Sequence, residues 1–587
     1  MNMLEHNGRP VSVLTIAATD SSNGAGVTAD LATMNFFGVM GVAAITAVTA
    51  QNFDEVLKVK AVKNKLFVRE LAAVSARSMP EIKVIKLGLI PSEKILRTVV
   101  TFIRGMKEKN PDLKVVWDPV AVSGTGSKMS EINYNLWLDA IMPLVDVFTP
   151  NLNEAMVLSG IKNLDVSSFE SVVRDFTALA AYFKKKGCAA VYLKGGHLPH
   201  YISEKLAKDK SACAGIKDHP LVSSILDVVI SGSNDDVYYF GCPRTGKYLR
   251  SSGVHGTGCI MASAIAAMLA RDYDSVDAIA YAKAYMTRGI ENSIDIGAKS
   301  RMFSHGYFTS SELLKYFPVM GRTMDELRMM TGLEENSGFV QCAHNLGLYP
   351  VVDSSDWIRK LCENGVKTMQ LRIKNPESQE LLEKEISVSA ELCRKYGVRL
   401  FIDDYYDMAV KYHAYGVHLG QEDLLEAKLK QVRDAGLRLG VSTHGYAEIA
   451  RALLLKPSYI ALGHIYPTGS KVMASKPQGP ERLKDYVELV DKLYPTVAIG
   501  GIKLHNLDEV MASGTGSVAV ITAITGAEDP EQAIAEWLDR VGLGDAETIE
   551  KNPAGKKAAP EAKTAKRAST RKKTAKAGLK ARSLNDN

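Results

Sequence analysis

The chain has 587 residues, of which 46% are hydrophobic and 24% charged, a balance typical of globular proteins. Its length predicts about three or four domains. It contains no run of 18 apolar residues, and the first ten residues lack the apolar core of a secretory signal, so we expect neither a membrane protein nor a secreted one.

The net charge of +6 is unevenly distributed. Residues 551–587 hold twelve Lys or Arg and two Asp or Glu, a net +10, which leaves −4 for the rest of the chain. We expect the Lys/Ala-rich segment 547–587 to be a disordered tail, because it has almost no large apolar side chains. Nonspecific contact with a polyanion is one role for this tail, and a solvated tail without a specific partner is the alternative.

The seven cysteines are scattered and form no C-x-x-C pair. This usage argues against a disulfide framework or a zinc site. It fits a reducing cytosol, so we expect a cytoplasmic protein.

Strand-like runs alternate with helix-length segments through residues 1–295, which predicts an α/β domain with a mostly parallel sheet covered by helices. After a segment that we interpret as a linker, residues 296–342, eight further apolar runs occur within residues 343–546. Eight such units predict a (β/α)₈ or TIM barrel. In both architectures, ligands bind at the carboxyl ends of the strands.

The stretch HGTGC, residues 255–259, leads into an Ala-rich segment with helical character. Backbone N–H groups of Gly256, Gly258 and Cys259 at a helix N-terminus suit a transferring phosphoryl group. The same positive helix end is expected to lower the thiol pKa, which makes Cys259 a candidate general base. A buried structural cysteine is the alternative.

Charged residues follow three other strand-like runs of the first half. Asp118 and Glu154 are candidate Mg²⁺ ligands, since Mg²⁺ bound with nucleotide phosphates takes one or two carboxylates. Lys194, which precedes two glycines, is a candidate to neutralise phosphate charge. A surface or capping role is the alternative for each of these side chains.

Seven segments of the first half occur in an order that resembles a known family: TDSSNGAGVTADL, TAVTAQN, KLGL, DPV, TPNLNEA, LKGGH and HGTGC. They resemble the hydroxymethylpyrimidine/phosphomethylpyrimidine kinases of thiamine synthesis, in the ribokinase-like superfamily. The resemblance implies that Asp30 and Gln51 hold the aminopyrimidine and that Cys259 is the base. It also implies that Lys194 and the TPNLNEA segment, with Asn151 and Glu154, serve ATP and Mg²⁺.

Charged and amide side chains also end strands of the predicted barrel. Gln370, Arg372 and Lys374 alternate along one strand, so they share one face and suit a diphosphate. Asp404 and Asp423 end the next two strands, where Mg²⁺ would balance their like charges. A salt-bridged barrel rim is the alternative for any one of these residues.

This half closely resembles thiamine-phosphate synthase through QLRIK, YGVHLGQEDL, LRLGVSTH, SYIALGHIYPTGSK, PQG and PTVAIGGI. The resemblance implies condensation of hydroxymethylpyrimidine diphosphate with a thiazole phosphate, with Mg²⁺ on Asp404 and Asp423. It implies that the pyrimidine diphosphate is held by Gln370, Leu371, Arg372, Ile373, Lys374, Asp403, Ser442 and Lys471. It implies that the thiazole phosphate is held by Thr468, Gly469, Ser470, Gly501, Ile521 and Thr522.

The chain departs from the two families at Thr19, Asn23 and Thr28 and at Asp403, where the synthases usually have Asn. Together the resemblances predict a bifunctional enzyme of thiamine biosynthesis that uses ATP and small-molecule substrates, and we expect a homo-oligomer. One alternative keeps the synthase and makes the kinase half degenerate, or specific for a related pyrimidine or pyridoxal-like alcohol. Another is a nucleic-acid-associated protein that acts through the tail.

Overall fold

The computed structural model describes residues 5–6, 9–120, 130, 132–208, 219–243, 253–469 and 475–546. The predicted site residues Ser470 and Lys471 and the predicted tail, residues 547–587, lie outside this range. Within it, no helix has both the length and the apolar character needed to cross a membrane.

The first half contains a ten-stranded sheet, a two-stranded hairpin and eleven helices among the described residues. The strands are β1 (Glu5–His6), β2 (Arg9–Ala17), β3 (Met40–Ile45), β4 (Ala47–Gln51), β5 (Val56–Ala61), β6 (Glu81–Leu87), β7 (Lys114–Trp117), β8 (Val147–Phe148), β9 (Ala190–Leu193), β10 (Ser224–Ser231), β11 (Asp236–Pro243) and β12 (Val319–Gly321). The helices are α1 (Gly26–Phe36), α2 (Asn64–Val74), α3 (Glu93–Lys109), α4 (Leu138–Ile141), α5 (Leu152–Ser159), α6 (Phe169–Lys184), α7 (Leu198–Lys208), α8 (Thr257–Ala270), α9 (Ser275–Glu291), α10 (Ser310–Leu313) and α11 (Met324–Met330).

The sheet has the order β1-β2-β6-β7-β8-β9-β10-β11-β12, with β3 paired to β2. Its central strands β3, β2, β6, β7, β8 and β9 run parallel. Adjacent residues of β6 point into two different cores, Val84 toward the core that contains α8 and α9, and Ile85 toward the core that contains α3 and α6. Helices thus cover both faces, and the predicted mostly parallel sheet is confirmed.

Antiparallel strands extend this sheet beyond its parallel centre. β10, β11 and β12 follow β9 in antiparallel pairing, and β1 pairs antiparallel with β2 at the other edge. β12 comes from residues 296–342, the segment interpreted as a linker, so part of that segment completes the sheet of the first half.

The second half is a closed barrel of eight parallel strands, in which β13 pairs with β20. All eight predicted strands are confirmed: β13 (Gly347–Val352), β14 (Thr368–Leu371), β15 (Arg399–Asp403), β16 (Gly416–Leu419), β17 (Arg438–Thr443), β18 (Tyr459–Leu462), β19 (Thr496–Ile499) and β20 (Ser517–Val520). Its helices are α12 (Ser355–Glu363), α13 (Gln379–Tyr396), α14 (Tyr406–Lys411), α15 (Leu429–Asp434), α16 (Tyr446–Leu455), α17 (Gly479–Val490), α18 (Leu507–Met511), α19 (Thr522–Thr525) and α20 (Pro530–Val541).

The two halves share one continuous apolar core. Tyr446, at the start of α16, is 3% exposed, and its ring packs against Tyr281 of α9 at 4.9 Å and Phe317 at 5.9 Å between ring centroids. Aromatic rings at these separations stabilise a contact beyond the apolar area that they bury. The described residues of the first half and of the barrel therefore form one packed body.

Candidate functional site

Two glycine-containing loops meet at the N-terminus of α8. Gly256, the N-cap residue, has a φ of +76°, and a Cβ there would overlap the carbonyl oxygen of Gly24. His255 Nε2 lies 2.9 Å from Asp20 Oδ2, which joins the same loops through their side chains. Residue 256 must be glycine because its φ is positive and because a side chain would collide with the neighbouring loop. Loop packing therefore explains the first glycine of the HGTGC motif.

Asp20 organises the first of these loops. Its carboxylate accepts the backbone N–H groups of Ser22 and Ala25, each at 2.7 Å. Burial raises the pKa of Asp20, but hydrogen bonds from His255 and Ser22 outweigh that effect and the pKa is lowered. Neither Asp20 nor His255 is among the predicted site residues, although the position of Asp20 just after the β2 strand is a signal that marks it.

Asn23, one of the departures from the kinase pattern, occupies a left-handed backbone conformation with φ +62°. Asparagine is one of the few residues besides glycine that adopts this conformation readily. The backbone N–H of Asn23 donates to the carbonyl of Asp20 at 3.2 Å, which closes the turn. The replacement therefore preserves the loop that packs on Gly256.

Cys259 lies in the first turn of α8 and is half-buried. Burial raises the pKa of its thiol to about 11; the Lys86 ammonium opposes this rise, and the Asp30 and Asp118 carboxylates add to it. The expected lowering of this pKa at the helix end is wrong, because burial and two nearby carboxylates raise it. At neutral pH the group is a thiol.

Asp118 and Lys194 form an ion pair beside this helix turn. Lys194 Nζ donates to Asp118 Oδ1 at 2.8 Å, and the hydroxyl of Thr149 is 3.3 Å from the same oxygen. A Cβ on Gly258 would lie 2.9 Å from Asp118 Oδ2. The structure thus brings Gly258, Asp118 and Lys194 together, as the sequence predicts.

Glu154 joins the same cluster through the start of α5. Its carboxylate accepts the N–H of Asn151 at 2.8 Å, and Asn151 Oδ1 accepts the N–H of Glu154 at 2.9 Å. Burial raises the pKa of Glu154 to about 7; the Lys194 ammonium lowers it and the Asp118 carboxylate raises it. The side-chain oxygen of Asn151 thus caps α5, and in the described part of the chain its amide N–H₂ has no hydrogen-bond partner.

Asp30 differs from its predicted role in binding the aminopyrimidine. Its carboxylate is 0% exposed and accepts hydrogen bonds from Lys86 Nζ at 2.8 Å, Thr15 Oγ1 at 2.6 Å and Ser263 Oγ at 2.7 Å. A carboxylate enclosed in this way does not reach a ligand. Burial lowers the pKa of Lys86, but the charge of Asp30 outweighs that effect and raises it. Through Ser263, this buried pair is bonded to α8, the helix that carries Cys259.

Gln51 is the last residue of β4. Its backbone is fixed by Ser21, whose hydroxyl donates to the Gln51 carbonyl at 2.6 Å and accepts the Gln51 N–H at 3.0 Å. Among the described residues, no group forms a hydrogen bond with the side-chain amide of Gln51. The donor and acceptor that a pyrimidine requires are therefore available here.

In the barrel, three predicted side chains converge on Asp403. Gln370 Nε2 donates to Asp403 Oδ1 at 2.6 Å, and Arg372 Nε lies 3.2 Å and Lys374 Nζ 3.5 Å from Oδ2. This confirms that the residues at 370, 372 and 374 share a face. Leu371 is 1% exposed and so offers a ligand only its backbone, and Ile373 packs against the core on the opposite side.

Three carboxylates crowd the ends of β15 and β16. Burial raises the pKa of Asp403 to about 6, and the charge of Asp404 adds to this rise. Burial also raises the pKa of Asp423, helped by the Asp404 carboxylate, which is within hydrogen-bonding contact of it. Lys374 forms an ion pair with Asp404. Arg372 and Lys374, the two cations paired with Asp403 and Asp404, therefore balance only part of the charge of the three carboxylates.

Ser442, at the end of β17, begins a chain of hydrogen bonds through the barrel interior. Its hydroxyl is 2.8 Å from His418 Nε2, His418 Nδ1 is 2.7 Å from the Tyr459 hydroxyl, and that hydroxyl is 2.9 Å from Tyr349. Gln421 Nε2 donates to the Ser442 carbonyl at 2.7 Å. His418 and Gln421 were not predicted site residues; their place in HLGQED, next to Asp423, is the signal that marks them.

The predicted thiazole phosphate residues that the structure describes follow β18, β19 and β20. Gly501 has a φ of +67°, and a Cβ there would lie 2.6 Å from the carbonyl of Pro467, so loop packing requires this glycine. Ile521 is the N-cap of α19, which starts at Thr522 directly after β20. Thr468 and Gly469 lie in the loop that follows β18.

The donor sets suit Mg²⁺, a cation that prefers oxygen ligands and often takes only one or two carboxylates from protein. The charge of Asp404 raises the pKa of Asp423, and the charge of Asp118 raises the pKa of Glu154, so each pair consists of two carboxylates close enough to repel. In the described ranges, no cluster of three or more His, Cys, Asp or Glu has the arrangement of a metal site. Any Mg²⁺ held by these pairs would therefore need further ligands from water or substrate.

Two family models match the chain. The model described as phosphomethylpyrimidine kinase matches residues 20–304, and the one described as thiamine monophosphate synthase matches residues 348–524. The thiamine-phosphate synthase of Citrobacter koseri is 54% identical over 200 residues, which cover 34% of this chain and 94% of that protein.

Solved structures similar to the chain cover its two halves separately. A phosphomethylpyrimidine kinase from Clostridium difficile is 27% identical, with 48% of this chain and 99% of that chain covered and a TM-score of 0.36. A thiamine phosphate pyrophosphorylase from Pyrococcus furiosus is 32% identical, with 33% and 96% covered and a TM-score of 0.30.

Replacing Lys86 tests the buried ion pair. Lys86→Met leaves the Asp30 carboxylate uncompensated in the interior, and we expect a loss of about 3–5 kcal/mol in the free energy of unfolding. Lys83→Met, in the same strand, removes a half-exposed ion pair with Asp272 and should cost less than about 1 kcal/mol. Urea unfolding followed by circular dichroism measures both; equal losses for the two variants would contradict the assignment.

Proposed function

Because this chain belongs to the thiamine-phosphate synthase family and carries a phosphomethylpyrimidine kinase domain ahead of it, we propose that its two sites catalyse consecutive steps. It is a bifunctional enzyme of thiamine biosynthesis, a phosphotransferase joined to a transferase. In this proposal the first site phosphorylates hydroxymethylpyrimidine and its phosphate, with ATP as co-substrate. The second site condenses the resulting diphosphate with the thiazole phosphate.

One observation carries this proposal: in both halves, basic side chains and carboxylates meet at the carboxyl ends of parallel strands. Lys194 and the N-terminus of α8 suit phosphate in the first half, and Arg372 and Lys374 suit diphosphate in the second. The product of the first reaction is the substrate of the second, so the two domains joined in this chain would catalyse consecutive reactions.

In the kinase half, we assign the N–H groups of Gly256, Gly258 and Cys259 to the transferring phosphoryl group, with Lys194 neutralising charge. The substrate hydroxyl oxygen forms a bond to the γ-phosphorus as the bond to ADP breaks, and its proton passes to the thiolate of Cys259. Gln51 orients the pyrimidine. Mg²⁺, held through Asp118 and Glu154, would neutralise phosphate charge.

In the synthase half, the diphosphate leaves the pyrimidine methylene carbon, and the thiazole nitrogen forms the new bond to that carbon. Arg372, Lys374 and Lys471 stabilise the charge that develops on the leaving group, while Gln370 and Ser442 hold the pyrimidine. Mg²⁺ on Asp404 and Asp423 would stabilise the same charge. Thr468, Gly469, Ser470, Gly501, Ile521 and Thr522 are the residues proposed to hold the thiazole phosphate.

Three further expectations stay predictions. These are self-association, a cytoplasmic location and contact of the basic tail, residues 547–587, with a polyanion.

Replacing the thiol should separate the two activities. Cys259→Ala removes the proposed base, so we expect ATP-dependent phosphorylation of hydroxymethylpyrimidine to be abolished, while condensation from supplied diphosphate stays within about twofold of wild type. Cys188→Ala, which removes a buried thiol elsewhere in the first half, should retain both activities. Loss of both activities in Cys259→Ala would contradict separate sites.

The pH dependence of the kinase step tests the protonation state. A thiol with a pKa of about 11 is almost fully protonated at pH 7, and its thiolate fraction rises about tenfold per pH unit below that pKa. If the thiolate is the base, kcat for pyrimidine phosphorylation rises with pH between 7 and 9 with a slope near one. A flat profile would show that Cys259 does not act as the base.

Asp403, which stands where synthases usually have Asn, should weaken diphosphate binding by occupying Arg372 and Lys374. Asp403→Asn removes this competition, and we expect KM for hydroxymethylpyrimidine diphosphate to fall severalfold. Asp407→Asn removes an equal charge from an exposed position on α14 and should leave KM unchanged. A higher KM in Asp403→Asn would show that the carboxylate supports the site.

A further inference from the structure

A carboxylate of the kinase half caps a helix of the barrel. α16 begins after Gly445, which has no side chain with which to cap it. Asp277, in α9, takes this role, since its Oδ1 accepts the N–H of Ala447 at 2.8 Å. A Cβ on Gly445 would overlap this same carboxylate, so the glycine makes room for it. The barrel helix is therefore capped by a residue 170 positions earlier in the chain.

A second carboxylate from outside the barrel reaches the same helix. Glu326 Oε1, in α11, accepts from Arg451 Nε at 2.8 Å, and Arg451 is 0% exposed. Arg451 donates to the carbonyl of Gln421 at 2.7 Å, and Gln421 Nε2 donates to the Ser442 carbonyl. Four residues are thus linked in series from α11 to the end of β17.

Both connections end beside Ser442. Asp277 fixes the first turn of α16, which starts four residues after Ser442. The series of hydrogen bonds that begins at Glu326 fixes the carbonyl of Ser442 itself. The intervening His444 is held within the barrel, because its N–H donates to Glu448 at 2.7 Å. The segment that carries Ser442 therefore has its position set from both halves of the molecule.

A buried carboxylate such as that of Asp277 stabilises an interface less well than an apolar side chain does. Burial raises its pKa well above the ordinary range, and the charges of Asp274 and Glu448 add to this rise. Apolar residues of similar volume often stabilise such buried positions better than charged ones do. What the carboxylate supplies here is a directed hydrogen bond to the helix N-terminus.

We propose that Asp277 and Glu326 are positioning residues of the synthase reaction, supplied to the barrel by segments outside it. They hold the end of β17 and the start of α16 in the geometry that lets Ser442 bind the pyrimidine diphosphate. This inference rests on the role proposed above for Ser442. It makes the synthase site of this chain dependent on its kinase half for substrate affinity.

The test uses the full chain with hydroxymethylpyrimidine diphosphate and thiazole phosphate supplied and ATP omitted, so that only condensation is measured. Asp277→Ala should raise KM for the diphosphate about tenfold, the effect of losing one buried hydrogen bond, with kcat within about twofold. Asp277→Asn keeps an acceptor oxygen and should stay within about twofold of the wild-type KM.

A substitution on the barrel side provides an independent approach. In Gly445→Ala the added methyl displaces the Asp277 carboxylate, so KM should rise as it does in Asp277→Ala. When the two changes are combined, no carboxylate remains to be displaced. The double variant should therefore show a KM close to that of either single variant rather than the product of the two increases.

Lys492→Ala is the interface control. Lys492 Nζ donates to Ser311 Oγ at 3.4 Å, a contact between the barrel and α10 that does not involve Asp277 or Glu326. This variant should leave KM unchanged. If the wild type condenses the two substrates and Asp277→Ala leaves KM unchanged, or Lys492→Ala raises it equally, the inference is overturned. A wild type that makes no thiamine phosphate overturns the proposed function as well.

Discussion

Parallel strand pairing is the constraint on which both sites depend, because strands that run in one direction end at the same edge of a sheet or barrel. In the first half this edge receives Asp118 from the end of β7 and Lys194 from the end of β9. In the barrel it receives Lys374 and Asp404 from neighbouring strands. Residues distant in sequence thus become ion-paired neighbours.

Basic and acidic side chains of these sites are paired within the protein. Lys194 bonds Asp118, Arg372 bonds Asp403 and Lys374 bonds Asp404, so these three basic groups proposed for phosphate each have a carboxylate partner. Binding of an anionic substrate with a divalent cation would exchange one set of ion pairs for another. Each group that loses a partner of opposite charge in this exchange gains another, which is a condition for holding charged groups in partly buried sites.

The sequence predicts the parallel cores well, because alternating strand and helix segments are a local pattern. It does not predict the antiparallel strands β10 to β12, since pairing partners are not encoded locally. It does not predict the enclosure of Asp30 by Lys86 or the direction of the Cys259 pKa shift, because both depend on groups distant in sequence: burial and nearby carboxylates raise the thiol pKa. Asp277 escapes prediction because its partner lies 170 residues away.

The measurement that tests the central claim most directly is a single reaction with the full chain. It contains hydroxymethylpyrimidine, ATP, Mg²⁺ and thiazole phosphate, and thiamine phosphate is detected as the product. If one chain carries both consecutive activities, thiamine phosphate forms from hydroxymethylpyrimidine only when ATP is present. When hydroxymethylpyrimidine diphosphate is supplied in place of ATP and the free pyrimidine, the product forms without ATP. Formation only from supplied diphosphate would contradict the account and leave the chain with a single activity.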